Sequence, residues 1–77
     1  MRNNDFHYEI IKHIVTLSES GDTSKELNIV IYGDKAPKYD LRTWRRCEGK
    51  ETLLKGLTLT LDEIKVLKTA LNSIKEI

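Results

Sequence analysis

Lys38, Arg42 and Trp44 carry the clearest chemistry in this sequence, because their spacing puts two cations and an indole on one side of a strand. They fall within residues 38–46, KYDLRTWRR, which alternate in character as a β-strand does. Successive strand side chains point to opposite faces, so Lys38, Asp40, Arg42, Trp44 and Arg46 project one way and Tyr39, Leu41, Thr43 and Arg45 the other. Ammonium and guanidinium groups neutralise phosphates, and an exposed indole is a platform on which any base stacks for roughly 1–3 kcal/mol. The charged same-face neighbours of Trp44 argue for exposure, against the alternative of a core tryptophan at a sheet edge. Tyr32 offers a second ring if its strand pairs alongside; its alternative is core packing. Lys55 and Gly56 form a further candidate contact, since a glycine lets a backbone or a phosphate approach closely. Arg45, Arg46 and Lys50 flank the following loop and add electrostatic attraction.

The formal charge of the 77 residues is only +1, but it is unevenly spread. Residues 1–34 carry three basic and six acidic groups, residues 35–55 seven and three, and residues 56–77 three and three, so the net values are −3, +4 and 0. Affinity for phosphate follows local cation density, and the central patch matters more than the total.

Catalysis finds little support. His7 and His13 lie far from the single cysteine, Cys47, and the chain has no G-x-S-x-G, P-loop, G-x-G-x-x-G or H-E-x-x-H motif. The two histidines share a strand face but have no third ligand nearby, so no metal and no cofactor are expected. One cysteine makes no internal disulfide. The start, MRNNDFHYEI, has no apolar leader core, and no run approaches the roughly 18 apolar residues of a membrane span. A cytoplasmic protein is expected, nucleoid-associated in a bacterial host.

The elements that must position these residues follow from periodicity. Residues 6–17, FHYEIIKHIVTL, read as a strand whose alternation slips near Ile10 and Ile11, as a bulge would cause; a helix with Phe6, Ile10, Ile14 and Leu17 on one face is the rival. Residues 18–25 read as a loop, and residues 26–32 as a second strand with Leu27, Ile29 and Ile31 on one face. GDKAP is a turn, residues 38–46 the third strand, CEGKET a loop and residues 54–59 a short fourth strand. The period then changes to 3.6. Thr60 and Glu63 form a capping box, opening a helix that runs to the C-terminus with Leu61, Ile64, Leu67, Leu71, Ile74 and Ile77 on one stripe. The stripe either packs on its own sheet or meets a second copy. A single domain over residues 1–77 is near the size at which one core is marginal, which favours self-association.

FHYEII at 6–11, KELNIVIY at 25–32, PKYDLRTW at 37–44 and KGLTLTLDEI at 55–64 resemble the domain of the transcriptional coactivator family positive cofactor four, most closely its small bacterial YdbC-like branch. The resemblance covers nearly the whole chain. It implies an α+β fold, a curved four-stranded antiparallel sheet followed by one C-terminal helix, joined as a homodimer through helices and sheet; Ile64, Leu67, Leu71 and Ile74 are the expected interface. It also implies binding of single-stranded DNA, or melted duplex, with little sequence preference. By position, Arg42 and Lys55 match basic contacts of the family, and Lys38, Trp44 and Tyr32 match the bacterial branch. Leu54 departs from the glycine or basic residue usual before the Lys-Gly step, and the long serine- and lysine-rich arm of the eukaryotic coactivators is not present. The expected nucleic-acid-binding set is thus Tyr32, Lys38, Arg42, Trp44, Arg46 and Lys55, in a non-enzymatic protein without small-molecule substrate or membrane partner. A protein-interaction module using the helix stripe, or an RNA binder, are the alternatives.

Overall fold

The computed structural model describes residues 7–76. Strands β1 (Tyr8–Ser20), β2 (Thr23–Tyr32), β3 (Lys38–Cys47) and β4 (Lys50–Leu59) form one antiparallel sheet in the order β1-β2-β3-β4, followed by a helix, α1 (Leu61–Ser73). This is the expected α+β fold, with longer strands and tighter turns. Residues 18–25 are not a loop: Ser20 pairs with Thr23 around a two-residue turn in which Gly21 takes φ 60°, as glycine does at the first position of a II′ hairpin. CEGKET is likewise strand and turn, with Cys47 paired to Lys50. There both central residues, Glu48 (φ 53°) and Gly49 (φ 75°), have positive φ, the pattern of a I′ hairpin.

The slip of alternation in β1 is a bulge, and the rival helix does not form. Pairing moves from Ile10 with Val30 to Lys12 with Ile29, and two more shifts follow, between His13 and Val15 and between Thr16 and Ser18. Each bulge bends its strand and increases local twist. The consequence is visible across the sheet. β1 and β4 are its two edges, and their first residues stand at opposite ends of it. Yet the Tyr8 hydroxyl donates to Glu51 Oε1 at 2.6 Å, and the Tyr8 ring lies 5.6 Å from that of Trp44. The sheet is coiled along one diagonal, so that two opposite corners meet over a concave face.

That curl decides what is buried. The fully enclosed side chains on β2 and β3 are Glu26, Asn28, Val30, Asp40 and Trp44, and direct cross-strand partners such as Asn28 with Asp40 and Ser24 with Trp44 place them on the concave side. The opposite face, with Leu27, Ile29, Ile31, Tyr39 and Leu41, is only half-buried, and Leu57 there is exposed. Trp44 therefore corrects the expectation of an exposed ring: its relative exposure is 0%.

The capping box on α1 forms in both directions. Glu63 N donates to Thr60 Oγ1 at 3.2 Å, and Thr60 N to Glu63 Oε1 at 2.8 Å. Asp62 and Glu63 complement the positive end of its dipole. The helix does not run on to the C-terminus. Ile74 is extended, its N–H donating to the Leu71 carbonyl, and the last turn has no basic residue to complement its carbonyl ends. Phe6 and Ile77, expected on the first strand and the helix stripe, lie outside the described residues.

Gly56 is fixed by its neighbour across the ladder. It pairs with Arg42, and a Cβ there would lie 1.9 Å from the Arg42 Cβ and 2.6 Å from the Leu41 carbonyl oxygen. The close approach read from the sequence is thus made by the chain's own β3. Gly56→Ala is expected to lower stability by about 3 kcal/mol, the upper end for overpacking, read as a drop in urea midpoint.

Candidate nucleic-acid interface

The concave face closes on carboxylates. Glu26 receives Arg46 Nη1 at 2.6 Å, the Ser24 hydroxyl, and Asn28 Nδ2 at 3.1 Å. Asn28 in turn accepts from His13 Nδ1 at 2.6 Å. Arg46 Nε donates to Glu51 Oε2 at 2.7 Å, and the guanidinium lies 5.3 Å from the centre of the Trp44 ring. Trp44 is therefore roofed by Tyr8 and Arg46, with its Nε1 buried and without an acceptor among the described residues. Of the charged neighbours that argued for exposure, Asp40 and Arg42 pair with each other, and Arg46, paired with Glu26 and Glu51, becomes its cover. As they stand, Trp44 offers no face to a base, and Arg46 is committed to Glu26 and Glu51.

Tyr32, Lys38 and Arg42 do come together. With Lys35, Ala36 and Leu53 they line a groove of about 570 Å³ where the β2–β3 turn meets β4. Tyr32 is half-buried; its hydroxyl donates to Asp40 Oδ2 at 2.7 Å, and the Arg42 guanidinium sits 5.6 Å from its ring centre. Burial, then the bond to Asp40, raise the Tyr32 pKa well above its ordinary value, so the ring stays neutral. Arg42 Nε donates to both Asp40 oxygens, at 2.7 and 2.9 Å, and Nη1 to the Leu54 carbonyl at 3.2 Å. The bond to Asp40 raises the Arg42 pKa further, and its charge is permanent. Lys35 and Lys38 are exposed on the rim. This is an aromatic plane beside three cations, an arrangement that suits a base and its phosphate.

Lys55 is separated from that groove. It lines a smaller hollow of about 250 Å³ with Lys25, Leu41 and Thr43, on the other sheet face, where Lys25 pairs with Thr43. Gly56 pairs with Arg42, so alternation along β4 puts Lys55 and Leu57 on the opposite face. Arg42 lines both hollows. Lys35 and Asp40 are the residues that sequence reasoning did not single out as site residues. Lys35 was counted only as charge within GDKAP, and Asp40 reads as one acid among bases until its burial is seen. Among the described residues no group of three or more His, Cys, Asp or Glu could hold a metal ion, and no helix is long and apolar enough to cross a membrane.

No family model matches the chain. It is 43% identical over 72 residues to a protein of Treponema pallidum (strain Nichols) described as an uncharacterized protein, a match covering 92% of this chain and 82% of that one. The chain belongs to that protein's family. A match of this extent takes in all four strands and most of α1, so the family resemblance embraces the whole coiled sheet together with its helix.

The acid limb of stability follows from the concave network. Burial alone would raise the pKa of Glu26, but hydrogen bonds from Arg46, Ser24 and Asn28 outweigh it and hold the carboxyl at about 2, against an ordinary 4.5. Glu51 is lowered too, chiefly by the Tyr8 hydrogen bond, with Arg46 contributing. A carboxyl depressed in the folded state contributes stability above its unfolded pKa and loses it as pH falls through the folded one. Urea midpoints are therefore expected to fall between about pH 4.5 and about pH 2, and Glu26→Gln should flatten that limb while lowering the midpoint at pH 7.

Proposed function

We propose that the chain is a non-enzymatic, largely sequence-independent binder of single-stranded DNA that acts as a homodimer. The groove of Tyr32, Lys35, Lys38 and Arg42 carries this reading: one half-buried ring at the groove wall for a base, and three cations beside it for the backbone. The resemblance to the positive cofactor four family supports the same reading, with a role in transcription, replication or repair within the cytoplasm. Tyr32 replaces Trp44 as the stacking surface, and Lys35 joins the backbone contacts. Lys55 and Lys25 form a separate basic spot that a longer strand would meet only after leaving the groove.

The dimer is supported by surface that the single chain leaves uncovered. Its accessible area is 5888 Å², against roughly 4,800 Å² for a compact monomer of this mass. The excess is of the order that one partner buries in a standard interface, about 800 Å². The uncovered surface is apolar. No residue of α1 is buried, Leu67, Leu71 and Ile74 are exposed, Ile64 is half-buried, and the Leu57 face of the sheet lies open. Sedimentation equilibrium should return about twice 8.9 kDa, and Leu67→Asp should shift the protein to monomer; a monomeric wild type at tens of micromolar would sink the dimer.

Binding is tested by anisotropy of a labelled oligothymidylate. Affinity should fall with salt at a log–log slope of about −2 per groove for three cations on single-stranded nucleic acid. Tyr32→Ala should weaken binding about tenfold or more, the loss of one stacked base, while Tyr32→Phe, which keeps the ring but loses its bond to Asp40, should weaken binding less than Tyr32→Ala. An unpaired RNA of matched sequence, run as competitor, decides the sugar preference, since stacking and phosphate contacts do not in themselves exclude ribose.

A further inference from the structure

We infer that Asp40 is the positioning residue of the groove: it clamps Arg42 and Tyr32 together, so that the guanidinium meets a phosphate in a fixed relation to the ring that stacks the base. The inference rests on the reading of the groove as a single-strand site. Asp40 is fully buried, and both of its side-chain partners line the groove. Oδ1 and Oδ2 accept from Arg42 Nε, and Oδ2 also accepts from the Tyr32 hydroxyl. The Leu54 carbonyl holds the other arm through Nη1. The Arg42 side chain keeps 15% of its exposure and borders the cavity.

The stem of Arg42 is fixed as well. Its Cβ lies against Gly56, which leaves no room for a side chain there. A guanidinium is a rigid planar fork; with Nε held by Asp40 and Nη1 by the Leu54 carbonyl, the orientation of its plane is set. Lys35 and Lys38 are different. They are exposed and lie on flexible stems, so they attract phosphate without directing it. Pre-organisation of this kind removes the entropy of ordering a long side chain on binding.

Charge counting and positioning predict opposite signs, which makes the inference testable. Asp40→Asn removes a negative charge beside the phosphate path. If only charge mattered, binding would tighten. If Asp40 positions Arg42, binding of oligothymidylate should weaken about tenfold although the protein is one unit more positive, with the salt slope unchanged because no cation is lost. Arg42→Lys keeps the charge and removes the fork, and should cost about as much. The double variant Asp40→Asn, Arg42→Lys should be no weaker than the weaker single variant, since both remove the same directed contact; thermal melts establish that each protein is folded.

If Asp40→Asn does not fold, Arg42→Lys decides alone, and wild-type affinity in that variant overturns the inference. Tighter or unchanged binding by folded Asp40→Asn, or additive losses in the double variant, also overturns it. A wild-type protein that binds no oligonucleotide sinks the proposed function itself, whereas wild-type binding retained in both single variants sinks only the role of Asp40.

Discussion

The structure depends on two buried carboxylates on the concave face of the sheet, Asp40 and Glu26, each of which must find a cation before the sheet can curl over it. A carboxylate leaves water only if it is paired and hydrogen-bonded, and removing one partner of a buried pair costs about 3–5 kcal/mol. Asp40 takes Arg42 and Glu26 takes Arg46, each at 2.7 Å or less. Such pairs add little net stability over an apolar core of the same shape. Their effect here is to fix geometry, since Arg46 on β3 reaches Glu26 on β2 and Glu51 on β4, and Glu51 then holds Tyr8 of β1. One chain of hydrogen bonds thus spans all four strands, and it can close only when the sheet is coiled.

This commitment changes the meaning of the central positive charge. Of the arginines on β3, Arg42 and Arg46 are neutralised by short contacts to acids, and Arg45 lies 3.6 Å from Asp22 at the surface. The excess of +4 over residues 35–55 therefore reaches solvent mainly through lysines. Those at 35 and 38 border the groove, and Lys55 borders the second hollow. Arg42 is both paired and at the groove wall, which is why its direction matters more than its charge.

The regular features were legible because local chemistry dictates them. The alternation of β2 and β3, the slip at Ile10 and Ile11 and the Thr60–Glu63 box each rest on neighbours in sequence. The GDKAP turn was legible too, but the tight β3–β4 turn was not, because Glu48 adopts a positive φ that glycine, asparagine or aspartate usually takes. Trp44 was misplaced for a different reason. Parity shows which residues share a face with it, but not which face curls inward, and that choice depends on three bulges in β1 and on a contact between opposite corners of the sheet. Lys55 shares the parity of Leu57 and Leu59, so it falls on their face of the sheet and away from Lys38.

The same curl explains why the apolar face needs a cover. Inward coiling spends the enclosed side on polar groups, leaving Val30 and Trp44 as the buried apolar residues among those described, while Leu27, Ile29 and Ile31 face outward half-covered. A β-rich chain with so little enclosed apolar surface gains by joining that face and the helix stripe to a second copy. β4 borders both proposed surfaces: Thr58 lines the groove, and Leu57 and Leu59 belong to the other face. In the proposed dimer, packing on Leu57 and Leu59 would hold the strand that backs the groove, and twofold symmetry would present two grooves at once. A DNA long enough to enter both would then bind the second intramolecularly, gaining affinity without a new kind of contact.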